Sequence, residues 1–146
     1  MLERIGVAAL LVVAGLATFG TGGSVAATGP TRCATPAATV TGGRELHAPT
    51  TRGEVWALPL NPTPPKVGDS LKIVWRVTGK GPLHVRFRDP QGRTHPLVFG
   101  PQRHSSSTFR HPGEEWGTGF AFDTPGCWTI RVRRSGADST VGIRVV

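Results

Sequence analysis

Leu71-Lys72-Ile73-Val74-Trp75-Arg76-Val77-Thr78 is the stretch that decides the fold. Leu71, Ile73, Trp75 and Val77 share one face of an extended chain; Lys72, Arg76 and Thr78 share the other, with Val74 the lone exception. Alternation with period two marks a strand that buries one face and wets the other. Gly79-Lys80-Gly81-Pro82 is a turn, after which Leu83, Val85 and Phe87 point one way and His84, Arg86 and Arg88 the other. Asp89-Pro90-Gln91-Gly92 then has β-turn chemistry, with Pro where φ is preset and Gly where φ can be positive.

Downstream the alternation continues. Thr94 to Phe99 reads as a short edge strand broken by Pro96, and the polar run Arg103 to Arg110 as at most one weak strand. Trp116, Thr118, Phe120 and Phe122 alternate up to the turn Asp123-Thr124-Pro125-Gly126. Trp128, Ile130 and Val132 then face inward, with Thr129, Arg131 and Arg133 outward. Ser135-Gly136-Ala137-Asp138 turns the chain into a last strand carrying Val141, Ile143 and Val145. The pattern predicts an all-β domain over 54–146: a single antiparallel sandwich of about seven strands, with a small barrel as its competitor. Trp75, Trp116 and Trp128 are in phase with core positions, whereas Trp56 is left open as a sugar-stacking residue.

Upstream of this domain the chain carries export signals. Met1-Leu2-Glu3-Arg4, the apolar run Ile5 to Leu16, and small residues up to Ala27 have the order of a signal peptide over 1–27, cleaved after Ala26 or Ala27. The run is shorter than the about 20 residues that cross a bilayer, so the mature chain is expected to have no transmembrane segment. Residues 28–53, rich in Thr, Ala, Gly and Pro, lack the large apolar side chains needed to offset their ordering entropy and read as a flexible arm. Cys33 and Cys127 are the two cysteines of the chain. In an exported protein an isolated pair is most simply a disulfide, here one that staples the arm to a late strand.

The 146-residue chain carries 17 Lys+Arg against nine Asp+Glu, a net charge of +8 that loss of Glu3 and Arg4 with the leader would leave unchanged. All the cations except Lys66, Lys72 and Lys80 are arginines. Two explanations stand side by side: codon usage in a G- and C-rich genome, or an anionic partner.

Phe120-Ala121-Phe122-Asp123-Thr124-Pro125-Gly126-Cys127-Trp128-Thr129-Ile130-Arg131-Val132 resembles the corner before the penultimate strand of secreted bacterial immunoglobulin-like domains. Lys66-Val67-Gly68-Asp69-Ser70-Leu71 is similar to the lead into an early core strand of that family, and Val141, Ile143 and Val145 to its closing strand. Trp128 stands where Tyr is usual, and the cysteines are not placed as in antibody domains. The resemblance implies a two-sheet sandwich whose third, sixth and seventh strands lie side by side. These strands carry His84, Arg86 and Arg88, then Arg131 and Arg133, then Arg144, which would form one basic stripe on an outer sheet face. The architecture itself implies no activity.

The remaining chemistry is sparse. His47, His84, His95, His104 and His111 show no metal-ligand spacing, so no metal and no cofactor are expected. His104 stands beside Ser105, Ser106 and Ser107, but the segment is no nucleophile elbow. Glu114 and Glu115 are adjacent and so point to opposite faces of a strand. Nucleic acid is disfavoured because no aromatic platform interleaves with the arginines. The expectation is a non-catalytic, secreted or envelope-associated domain contacting an anionic cell-wall polymer or lipid surface through its basic face. The alternatives are a module that binds another exported protein, as an inhibitor or accessory subunit, and more weakly a small hydrolase.

Overall fold

The alternating segments become nine strands in a computed structural model that describes Cys33, Val40 and residues 43–61, 64–105 and 107–146. The strands are β1 (Leu46–Ala48), β2 (Val55–Pro59), β3 (Ser70–Val77), β4 (Lys80–Arg88), β5 (Thr94–His95), β6 (Phe99–His104), β7 (Glu114–Ala121), β8 (Gly126–Ser135) and β9 (Ala137–Val145). Two separate antiparallel sheets result, β1-β2-β3-β7-β6 and β5-β4-β8-β9, so the domain is a sandwich and not a closed barrel. From β2 onward, leaving β5 aside, the strands take the A-B-E-D and C-F-G order of an immunoglobulin sandwich. The signal-peptide reading of 1–27 lies outside the described residues.

The inward face of each strand is the one its alternation marks. Leu71, Ile73, Trp75 and Val77 from β3 meet Phe87, Trp128, Ile130, Val132, Val141 and Ile143 from the opposite sheet, all buried. The aromatic heart is Phe87, stacked on Trp128 at 4.6 Å and edge-on to Phe120 at 4.9 Å. Buried indoles usually find a polar partner, and two of the three in the core do. Trp75 Nε1 donates to Thr118 Oγ1 at 2.7 Å, and Trp128 Nε1 donates to the Thr124 carbonyl at 2.8 Å. The first of these bonds explains why a threonine occupies a core position of β7. At the β3–β4 turn Gly79 has φ +102°, and a Cβ there would stand 1.8 Å from the Ser135 carbonyl oxygen. Only glycine fits that approach.

Two local expectations are corrected. The sheet begins at Leu46, inside the 28–53 segment read as an arm: β1 pairs with β2, and Ala48 and Val40 are buried in the core. Small side chains fill this edge, and backbone bonds such as Val40 N–H to the Gly142 carbonyl hold it, so a scarcity of large apolar residues understated its order. The run from Phe99 is a full strand, β6, which pairs with β7 in the other sheet. Val74, the misfit in the alternation of β3, is buried on the outward side of its sheet.

Cys33 and Cys127 are disulfide-bonded, with Cα atoms 5.6 Å apart across a sequence separation of 94. The Asp89 turn forms as its sequence implies, with Gly92 N–H donating to the Asp89 carbonyl at 2.9 Å. The buried Asp89 carboxylate accepts from Gln91 N–H and Arg93 N–H at 3.0 and 2.8 Å, from Arg93 Nε at 2.6 Å, and meets His95 Nε2 at 3.0 Å. Burial alone raises its pKa, but the hydrogen bonds from His95 and Arg93 outweigh that and hold the carboxyl well below the usual carboxylate range. A depressed folded-state pKa adds stability that is fully present above the unfolded value of about 4 and is lost as pH falls toward the folded value. Asp89→Asn is therefore expected to lower Tm by about 5 °C or more at pH 7. The gap from wild type should narrow below pH 4 without closing by pH 2, as thermal melts across that range would show. A gap that stays constant from pH 7 to pH 2 would contradict this role.

Candidate functional site

The pleat of the backbone sends alternate residues of β4, β8 and β9 out of the sandwich on one sheet face. Cross-strand register then sets them in rows: His84 opposite Arg133, Arg86 opposite Arg131, Arg88 opposite Thr129. On the other side of β8, Arg131 faces Thr140, Arg133 faces Asp138, and Cys127 faces Arg144. All six residues of the expected stripe therefore share one outer face. His84, Arg86, Arg88, Arg131 and Arg133 are exposed, and Arg144 is half-buried beside the disulfide.

Among the outward strand positions of this sheet the one carboxylate is Asp138. Arg131 holds it with a two-pronged pair, Nε to Oδ1 at 3.0 Å and Nη2 to Oδ2 at 2.6 Å, and Arg133 Nε approaches at 3.6 Å. The hydrogen bond from Arg131 lowers the Asp138 pKa, and the same bond raises that of Arg131, so both stay charged. Asp138 escapes the sequence reading because it looks like the end of a turn; β9 in fact starts at Ala137, which makes Asp138 a strand residue in phase with Arg144. That shared phase, with Val141, Ile143 and Val145 in the opposite one, is the signal that could have found it.

Arg86, Arg88 and His84 have no carboxylate within ion-pair distance among the described residues. Arg86, Arg88 and Arg131 instead line an open depression of about 240 Å³, whose remaining walls are Thr129 and Thr140. Like charges directly opposite each other on a sheet are destabilising, and Arg86 and Arg131 are such a pair.

The other titratable clusters are structural in character. Arg134 turns inward at the end of the sandwich, where it is buried and donates to the carbonyls of Gly81 and Val77 at 2.8 and 3.0 Å and to Glu114. Apart from His84, the histidines are engaged by other side chains. Trp56 is stacked between His47 at 4.2 Å and His111 at 3.8 Å, nearly parallel to both. Both faces of the indole are covered, which removes Trp56 as a sugar-stacking platform. On the same sheet the buried Glu115 carboxylate meets His104 Nδ1 at 3.2 Å and accepts from Ser107 Oγ. The carboxylate sits between hydroxyl and imidazole, so this imidazole is not placed to take the serine proton as a triad requires. No group of three or more His, Cys, Asp or Glu that could hold a metal ion occurs among the described residues, and no helix there is long and apolar enough to cross a membrane.

No family model, curated protein or solved structure matches the chain.

Proposed function

We propose that the protein is an exported, non-catalytic binding domain that contacts an anionic component of the cell envelope through the outer face of β4, β8 and β9. The observation that supports this most is the row structure of the face. Arg86 stands opposite Arg131 and His84 opposite Arg133, with Asp138 as the one balancing carboxylate at the outward strand positions described. A codon-driven surplus of arginine would scatter over the surface and pair with acids. Here Arg103 pairs with Glu114, Arg93 with Asp89 and Arg134 with Glu114; Arg86 and Arg88, like Arg44, Arg52 and Arg110 elsewhere, have no carboxylate within ion-pair distance among the described residues, and what sets this face apart is that the sheet register places Arg86 against a second cation. Arginine forks suit phosphate and carboxylate groups, which cell-wall polymers and lipid headgroups both offer. The disulfide fits an oxidising compartment outside the cytoplasm.

A second reading, a module for another exported protein, rests on a different place. Val67, Val98 and Val146 are 47%, 59% and 47% exposed at one end of the sandwich. There a depression of about 320 Å³ runs between Gly68, Pro96, Leu97 and Phe122. A protein docked on that end would hold by apolar contact and persist in high salt.

Sedimentation of the oxidised protein with isolated cell walls and with anionic lipid vesicles, at about 0.15 M salt, tests the first reading. Wild type is expected to co-sediment, and the variant carrying Arg86→Ser, Arg131→Ser and Arg133→Ser together to remain in solution. Equal sedimentation of both proteins would remove the basic face from the account.

A further inference from the structure

We infer that the depression between Arg86, Arg88 and Arg131 is a phosphoryl-group site, so that the partner is recognised through its phosphates; this rests on the reading of the basic face given above. The site is assembled by three strands. Arg86 and Arg88 come from β4, Thr129 and Arg131 from β8, and Thr140 from β9, and all line one cavity of about 240 Å³. Arg131 is positioned before any ligand arrives: Asp138 takes its Nε and Nη2, which fixes the plane of the guanidinium and leaves Nη1 and the second Nη2 proton for another acceptor. The forks of Arg86 and Arg88 have no acceptor among the described residues, although the sheet register sets Arg86 against a second cation. An anion seated between them turns that repulsion into two attractions.

Geometry and donor number favour phosphate over carboxylate. A carboxylate offers two oxygens in one plane and a single charge, which one guanidinium fork satisfies. Three arginines and two threonines line one depression, which brings together more donor groups than one carboxylate can use. A phosphoryl monoester presents three oxygens in three directions and carries about −1.5 to −2 charge at pH 7, so it can engage them together. The neighbouring depression, lined by Arg52, Arg133, Arg134 and Asp138, lacks this surplus: Arg134 is spent on Val77, Gly81 and Glu114, and a carboxylate already stands in the wall.

The test is a titration of the oxidised full chain with glycerol 3-phosphate, dimethyl phosphate and acetate at constant ionic strength, followed by amide and arginine side-chain NMR shifts. A phosphate probe is expected to shift Arg86, Arg88, Thr129, Arg131 and Thr140 and to bind at least about tenfold more tightly than acetate. Glycerol 3-phosphate is expected to bind more tightly than dimethyl phosphate, because a diester, like acetate, has two free oxygens and a single charge; the reverse order would overturn a site built for a terminal phosphate. Arg88→Gln should weaken the phosphate probe about tenfold. Arg133→Gln removes the same charge from the same face but outside the cavity, and should weaken it less than about threefold. Equal affinity for phosphate and acetate, or equal losses in the two variants, would overturn the phosphoryl site. If anionic vesicles still bound in that case, the basic-face reading would survive it; if they did not, both would fall together.

Discussion

Trp128→Ala is expected to lower the unfolding free energy by about 3–5 kcal/mol, the range for emptying a large aromatic from a packed core. Trp128 is fully buried, stacks on Phe87 at 4.6 Å, and meets Phe122 and His95 edge-on at 5.5 and 4.8 Å. Its loss also leaves the Thr124 carbonyl without the indole donor at the corner before β8. Small domains have about 5–15 kcal/mol in total, so this loss removes a large share of the stability. Urea unfolding monitored by far-UV circular dichroism would measure the change. A loss below about 2 kcal/mol would mean that the two sheets do not hold together through this ring. Trp56→Ala makes the contrast, because that indole is only half-buried and lies on an outer face between two histidines. It should cost clearly less.

The second large effect concerns the disulfide. Cys33 and Cys127 close a loop with a sequence separation of 94, so replacing both with serine frees the unfolded chain by up to about 4–5 kcal/mol in the chain-entropy treatment. The sandwich itself should persist, since all but a few residues of the core cluster come from β2, β3, β4, β7, β8 and β9 and neither sulfur belongs to it. Denaturation of the oxidised protein and of the double variant, both at pH 7, would give the difference. A change under about 1 kcal/mol would show that the unfolded chain is already restrained by other means. Failure of the double variant to form the sheets would show instead that the bond is needed to seat the edge at Val40 and β1.

Most of the sandwich was legible because a two-sided environment leaves a period-two mark. Leu71 to Val77 and Trp128 to Val132 each declare their inward face in the sequence, and each is buried as declared. The stripe His84, Arg86, Arg88, Arg131, Arg133 and Arg144 follows from the same alternation once the strand order is known. What stayed hidden depends on contacts that alternation does not encode. β1 is held by backbone pairing and small side chains, so its composition resembled a linker. Arg134 keeps the inward phase of Trp128, Ile130 and Val132, but its acceptors, the carbonyls of Gly81 and Val77 and the Glu114 carboxylate, come from distant parts of the chain that alternation does not bring together. The stacking of His47, Trp56 and His111 joins β1, β2 and the segment before β7, residues far apart in sequence with no shared motif. Asp138 needed only the true start of β9 to be placed on the basic face.

The central claim is that the outer face of β4, β8 and β9 binds an anionic envelope component by charge. Its most direct test is the salt dependence of binding to vesicles rich in anionic phospholipid, for wild type and for the triple Arg86→Ser, Arg131→Ser, Arg133→Ser variant. Ion-pair binding of several phosphates implies that wild-type affinity falls by about tenfold to a hundredfold between about 50 and 200 mM salt, with a much shallower slope for the variant. Binding that holds unchanged across that series, or the same slope in both proteins, would contradict the claim and move the working surface to the apolar end around Val67, Val98 and Val146.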